Sequence, residues 1–197
     1  MLRVRTMTVP AAVLAIAALI TFLATISCPT TAAEKTMLTT IEIPGSLRIE
    51  HAAIHSALVD ATKMPGAVGE AARKVADVLH GHFVREEEIA LPPLGLLAWL
   101  AAGERLTAAE TSAALSMTDA LRRELPHMLD EHTRIRAAVQ GLKAAAQSQR
   151  ANRYAQLADD LALHAQTEEE VLYPAAVLVG DIIRARASSS DVAAPRR

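Results

Sequence analysis

The hydrophobic positions that follow Pro44 recur with helical spacing, and no alternating strand pattern accompanies them. This pattern predicts an all-α domain whose four main helices cover residues 46–62, 67–91, 125–147 and 151–183. A connector helix with Trp99 lies between the second and third, in residues 94–106. The segment "TAAE" at 107–110 is a capping box that opens a further helical stretch. We expect Pro126 to kink or restart that stretch.

Each main helix carries one histidine within its apolar stripe, and stripes of this kind face the interior of a helical bundle. Two of the stripes also contain a glutamate, one turn after the histidine. Along the four helices in turn, the predicted inner positions are Leu47, His51, Ile54 and Leu58; Val75, Leu79, His82, Glu86 and Ile89; Leu125, Met128, His132, Ile135, Val139 and Leu142; and Leu157, Leu161, His164, Glu168, Val171 and Ala175.

The chain repeats itself around these histidines. "HFVREEEIALP" at 82–92 and "HAQTEEEVLYP" at 164–174 share one spacing of histidine, three glutamates and proline, and "EHAAI" matches "EHTRI" in the other two helices. The repeat predicts a pseudo-twofold arrangement of the two halves. Pro92 and Pro174, which each follow the first glutamate of their trio, are expected to bend the helices around the site.

Two glutamates in one buried layer would be costly as bare charges, and a cation among them removes that cost. A histidine and a glutamate four residues apart lie on one helix face, so both can reach one centre. Four imidazoles with two carboxylates that can bridge suit two transition-metal ions, whereas magnesium or calcium would require more oxygen donors. The candidate ligands are His51, His82, Glu86, His132, His164 and Glu168.

Other residues near these positions have less specific interpretations. His55, one turn after His51, could supply a fifth imidazole. His80 and His127 point away from the inner stripes and are expected at the surface. A solvated face, or a role in orienting the ligand histidines, is expected for Glu87, Glu88, Glu169 and Glu170. Packing, rather than redox chemistry, is expected for Tyr173 and Trp99.

On His51, "HFVRE", His132 and "HAQTE", taken in this order, the chain resembles the hemerythrin-like, or HHE cation-binding, family over residues 45–185. The resemblance implies an up-down-up-down four-helix bundle around a non-haem di-iron centre, in which two iron ions share an oxo or hydroxo bridge. It also implies that the small ligand is O2, NO or peroxide, bound for sensing, scavenging or iron and oxygen handling.

The chain departs from the oxygen-carrying members of that family. They have a fifth histidine one turn before the third-helix ligand, where this chain has Met128, and their fourth-helix acid lies five residues after the histidine instead of four. With octahedral iron, the remaining ligands leave roughly two positions open, or one if His55 binds. Reversible oxygen carriage is therefore not expected.

Two further functions fit the same residues. One is a di-iron oxidoreductase that reduces peroxide or NO, or that donates iron for cluster repair. The other is a metal-free or zinc-filled helical interaction module. A binding or sensing protein is favoured over an enzyme, without deciding the matter.

Composition limits the partners. The chain is 51% hydrophobic and 21% charged, with a formal net charge of −2, so it has no basic footprint for nucleic acid. One helical domain of this size could be a monomer or a homodimer. A linker at 34–44 and a polar, disordered tail at 186–197 are expected to flank the bundle at 45–185.

The N-terminus has the layout of a signal peptide. Arg3 and Arg5 precede an uncharged stretch whose apolar part spans residues 9–26, and "TAA" at 31–33 could be a cleavage site. An uncleaved membrane anchor at 1–33 is the alternative. Either implies an exported or anchored, periplasmic protein, whereas a start at Met37 would give a cytoplasmic one. The single cysteine lies in this segment, so disulfides are not expected in the bundle.

Overall fold

The computed structural model describes the backbone of residues 41–192, which is helical apart from short turns and contains no strand. The α-helices are α1 (Gly45–Thr62), α2 (Ala67–Arg85), α3 (Leu97–Ala101), α4 (Ala108–Ser148), α5 (Asn152–Thr167) and α6 (Tyr173–Val192). Single π-helical turns at Glu86–Ala90 and Glu168–Leu172 extend α2 and join α5 to α6, and a 3-10 turn at Pro92–Leu96 leads into α3. The all-α prediction is therefore confirmed.

Several predicted helix ends coincide with those of the structure. α2 begins after Gly66, whose φ of 69° lies in the region that favours glycine. α4 begins at the predicted capping box, in which the Thr107 hydroxyl accepts from the Glu110 amide and the Glu110 carboxylate accepts from the Thr107 amide. The expected restart at Pro126 is wrong, because α4 continues through it. Pro126 is exposed, so water can solvate the carbonyl that loses its helical partner.

The long helices pack as a bundle. α4 contacts α2, α5 and α6, and α1 contacts α2 and α5. At one end, apolar side chains from α1, α2, α4 and α5 form the largest buried cluster, which includes Leu58, Leu79, Phe83, Ile135 and Leu161. A second cluster, which includes Ile89, Leu91, Leu94, Met128 and Tyr173, lies nearer the other end. The predicted histidine positions fall between these two clusters along the helices, which keeps water away from them.

The two π-helical turns begin at the glutamates of the two His-x-x-x-Glu pairs. In the first, the Leu91 amide donates to the Glu86 carbonyl across 2.9 Å, one residue further than in an α-helix. Pro92 follows at once, and a proline has no amide proton and crowds the carbonyl four residues before it. A wider turn relieves that crowding. The prolines thus accompany a local widening of the helix at each glutamate.

The second π-helical turn changes which residues face inward after Glu168. Val171, predicted on the inner face, is 54% exposed, whereas Tyr173 is 1% exposed. One extra residue in a turn rotates the following side chains by about 100° relative to a regular helix. The prediction for Val171 was wrong because the sequence periodicity assumed an uninterrupted α-helix.

The two ends of the bundle are longer than predicted. Ile41, placed in a linker by the sequence, is buried against Leu96, Leu100 and Val179. α6 continues to Val192, beyond the predicted end near residue 183. Trp99, expected to pack, is 54% exposed.

Some predictions fall outside the described residues. These are the targeting segment at 1–33, the alternative start at Met37 and the last residues of the tail, 193–197. Within the described part of the chain, no helix has the length and hydropathy to cross a membrane.

Candidate metal centre

The structure brings all six candidate ligands together. Each is at most 5% exposed, although all are polar. Their donor atoms form two groups, in each of which every donor lies within 4.8 Å of the others. Group A consists of His51 and His164 with Glu86 and Glu168, and group B consists of His82 and His132 with the same two glutamates. Each group thus combines histidines from both halves of the repeat.

The two glutamates each direct one oxygen to each group. In group A, Glu86 Oε2 lies 3.9 Å from His51 Nε2, and Glu168 Oε1 lies 2.9 Å from His164 Nε2. In group B, Glu86 Oε1 lies 3.3 Å from His82 Nε2, and Glu168 Oε2 lies 3.4 Å from His132 Nε2. A carboxylate whose two oxygens face two separate donor groups is arranged to bridge two cations.

The donor atoms of group A fit a cation because nothing else in the described structure satisfies them. Four buried side-chain atoms there have no hydrogen-bond partner, and all four belong to this group: His51 Nε2, Glu86 Oε2, His164 Nε2 and Glu168 Oε1. The 2.9 Å between His164 and Glu168 does not have the angles of a hydrogen bond. Buried polar atoms are rarely left unpaired, because each costs about 1–3 kcal/mol. A cation between them would satisfy all four.

Group B also presents nitrogen atoms to a common centre. His82 Nε2 and His132 Nε2 lie 2.7 Å apart, so without a cation they must share a proton. Both rings are buried, and both carboxylates face them. The same donor types as in group A are therefore available here.

Every one of the four histidines has its other ring nitrogen, Nδ1, on a carboxylate. Contacts of this kind fix the ring orientation and leave Nε2 for a metal. The pairs are His51 with Glu87 at 3.2 Å, His164 with Glu50 at 3.1 Å, His82 with Glu131 at 2.9 Å and His132 with Glu169 at 2.8 Å. The orienting role considered for Glu87 and Glu169 is present, while Glu88 contacts Arg85 and Glu170 contacts Gln166.

Sequence reasoning missed Glu50 and Glu131. Each directly precedes a ligand histidine in the repeated "EH" pair, yet orients a histidine of a different helix. The repeated "EH" pair was the one sign in the sequence that these glutamates belong to the site. Which histidine each glutamate contacts depends on the packing of the helices, and a sequence pattern does not contain that information.

The carboxylates raise the proton affinity of the histidines. Burial alone would lower the pKa of His82, but Glu86 and Glu131 outweigh it and raise the pKa to about 9. At His164, burial again acts to lower the pKa. Glu168, Glu86 and Glu50 outweigh it and raise this pKa to about 9 as well. In the protein without metal, imidazolium ions thus balance the buried carboxylates, and a binding cation must displace their protons.

The pKa values of the two glutamates are shifted in opposite directions. Burial raises the pKa of Glu86. Burial acts in the same direction on Glu168, but the nearby imidazoles of His132, His164 and His51 outweigh it and hold the pKa of this carboxyl well below its usual range. The histidines therefore keep Glu168 ionised.

Tyr173 is a site residue that the sequence analysis assigned to packing. Its hydroxyl donates to Glu86 Oε1 and lies 3.2 Å from His132 Nε2 and 3.4 Å from His82 Nε2. Its ring stacks on His132 with centroids 5.6 Å apart. Burial and the nearby carboxylates raise the pKa of Tyr173, so the phenol is neutral without a cation. The π-helical turn before it directs this side chain inward, and the periodicity gave no sign of that.

Group A has an aromatic neighbour of another kind. The Phe83 ring stacks on His51, with centroids 4.2 Å apart and planes inclined by 13°. Both residues line a cavity of about 520 Å³ between α1 and α2, whose wall also includes His55, His80 and Glu87.

The three remaining histidines lie outside both donor groups. His55, considered as a fifth ligand, is exposed. His80 and His127 are exposed, as predicted.

These features define a class of protein: a four-helix bundle whose buried histidine and glutamate cluster could hold metal cations. Residues 123–191 match the family model described as Hemerythrin HHE cation binding domain, which confirms the resemblance inferred from the motifs. The matched range includes His132, His164 and Glu168, and it begins after the other three candidates, His51, His82 and Glu86. Comparison with curated proteins and with solved structures finds no match.

Proposed function

We propose that this chain is a non-haem di-iron protein of hemerythrin type that binds O2, NO or peroxide, for sensing, scavenging or iron and oxygen handling. The observation that carries the proposal is the pair of buried glutamates, each with one oxygen toward each of two histidine pairs. Such an arrangement could hold two cations side by side. Iron in this setting would supply the affinity for a small oxidant or a diatomic molecule.

The donor types favour a transition metal. Each group offers two imidazole nitrogens and two carboxylate oxygens, a set that suits iron, whereas magnesium and calcium prefer oxygen donors throughout. Zinc accepts the same donor types, usually four to each ion. The choice of iron therefore rests on the family resemblance in addition to the donors.

The remaining residues prepare the site. The glutamates on Nδ1 fix four imidazole rings with Nε2 directed inward, so little reorganisation is needed when cations bind. The apolar clusters on either side of the six candidate ligands keep these ligands at most 5% exposed. Met128, which stands where oxygen carriers have a ligand histidine, is buried. A metal held here would lack that ligand and could bind a small molecule in its place.

Metal analysis and an optical spectrum of the purified chain test the proposal together. We expect about two irons per chain and near-ultraviolet bands of an oxo-bridged ferric pair. A chain that binds only zinc, or no metal, would favour a helical interaction module. Decay of those bands under turnover with a reductant and peroxide, measured by stopped flow, would favour an oxidoreductase over a binding protein.

A further inference from the structure

The Tyr173 hydroxyl lies among the donor atoms of group B. It lies against Glu86 Oε1 and within 3.4 Å of both histidine Nε2 atoms of the group. Donor atoms about 2.1 Å from one octahedral metal lie about 3 Å from their neighbours. The hydroxyl therefore stands where a fifth donor atom of group B would stand.

Among the residues that the structure describes, none places an equivalent hydroxyl beside group A. Tyr173 follows Glu168 by the same spacing as Leu91 follows Glu86, so the internal repeat relates the two positions. Both side chains are 1% exposed, but a leucine has no donor atom to offer. The repeat thus produces two similar donor groups, of which one alone has a phenol beside it.

We propose that Tyr173 is a ligand to the iron in group B, which makes the two metal positions chemically unequal and leaves group A as the position that binds exogenous molecules. This inference rests on the proposed di-iron function. As the bond from iron to the phenol oxygen forms, the O–H bond breaks and its proton is released to solvent, as for other ligands that must lose a proton to bind a metal. No electron transfer is required.

The surroundings of group A agree with this assignment. The cavity between α1 and α2 is lined by His51 of group A and by Phe83, which stacks on it, and by neither histidine of group B. A small anion or a diatomic molecule could approach there without displacing a protein ligand. With Tyr173 bound, group B is enclosed by the ring stacked on His132 and by the second apolar cluster.

The chain allows a clean spectroscopic test because it contains two tyrosines. Ferric phenolate complexes have a visible charge-transfer band and resonance-enhanced ring vibrations. We expect both features in the iron-loaded parent, their complete loss in Tyr173→Phe, and their retention in Tyr154→Phe. Tyr154 is buried in the large apolar cluster, outside both donor groups, and so provides a matched loss of one hydroxyl. Iron content, measured in parallel, should stay near two per chain in both variants.

Azide binding supplies a second readout. The parent and Tyr154→Phe should bind one azide per iron pair, and Tyr173→Phe should bind a second at the vacated position. Two irons with no phenolate band in the parent, or a band that survives Tyr173→Phe, would overturn the inference and leave Tyr173 as a hydrogen-bond donor to Glu86. A parent that binds no iron would overturn the proposed function, and this inference with it.

Discussion

Group A and group B contain the same donor types, but their supporting glutamates differ in exposure to water. The carboxylates that orient the histidines of group A, Glu50 and Glu87, are 48% and 49% exposed. Those of group B, Glu131 and Glu169, are 22% and 26% exposed. The hydrogen bonds follow the same order, at 3.1 and 3.2 Å in group A against 2.9 and 2.8 Å in group B.

The difference shows that an internal repeat can give two sites matching ligands and unequal surroundings. Glu169 also contacts Arg136, which holds the carboxylate in place, whereas Glu87 lines the cavity between α1 and α2. Better-shielded carboxylates hold an imidazole more firmly. We therefore expect group B to bind its cation more tightly, and group A to be the more accessible position.

Removing one histidine from each group should have the largest effect. His164→Ala takes a donor from group A, and His82→Ala takes one from group B. We expect metal analysis to give about one ion per chain for His164→Ala and one or fewer for His82→Ala, because group B is the better-supported position. His80→Ala and His127→Ala, at exposed positions, are the matched controls and should keep two ions. Two ions in both ligand variants would contradict the site.

pH should affect the two groups alike, because His164 in group A and His82 in group B both have a pKa of about 9 without metal. These values lie above the ordinary 6.5, so protonation of the two histidines stabilises the metal-free protein fully below about pH 6.5. That contribution is lost as pH rises through about 9. Metal affinity should change in the opposite direction, by up to about tenfold per pH unit for each proton displaced.

Denaturant unfolding of the metal-free chain and metal titrations, both at several pH values from 6 to 9, measure these two trends. The metal-free chain should become less stable across this range, and the metal should bind more tightly. If stability and affinity rose together with pH, the proposed imidazolium–carboxylate balance in the metal-free cluster would be wrong.

Neutralising one supporting carboxylate in each group should separate A from B directly. Loss of such a partner commonly weakens metal binding by about 10–100-fold. We expect Glu131→Gln to approach the upper end of that range and Glu50→Gln the lower end, because Glu50 is the more exposed. Glu88→Gln removes a carboxylate that contacts Arg85 and is the matched control, so it should leave the metal affinity unchanged. Competition with a chelator measures all three, and equal losses for Glu131 and Glu50 would remove the proposed difference in support.

Deleting residues 1–33 should have the smallest effect, since every candidate ligand and supporting glutamate lies after them. The shortened chain should be soluble and should bind metal with the stoichiometry of the full chain, in both groups. Size-exclusion chromatography with metal analysis checks this. Aggregation or loss of metal in the shortened chain alone would show that the bundle requires the N-terminal segment.

Local sequence patterns were enough to predict the helical fold and the six residues that meet in its interior. Apolar periodicity places His51, His82, His132 and His164 on inner faces, and the cost of buried charge makes a cation the natural partner of Glu86 and Glu168. The capping box fixed the start of α4. These inferences depend on spacing within single helices, which is a local property.

The surroundings of those six residues, in contrast, depend on how the helices pack against one another. Tyr173, assigned to packing, reaches group B because a π-helical turn rotates it inward, and Val171 leaves the interior for the same reason. Glu50 and Glu131 orient histidines of other helices, and His55 stays outside both groups. Contacts between helices depend on their packing and on small changes of helical phase. Repeated motifs do not encode these, so two matching halves become two unequal positions.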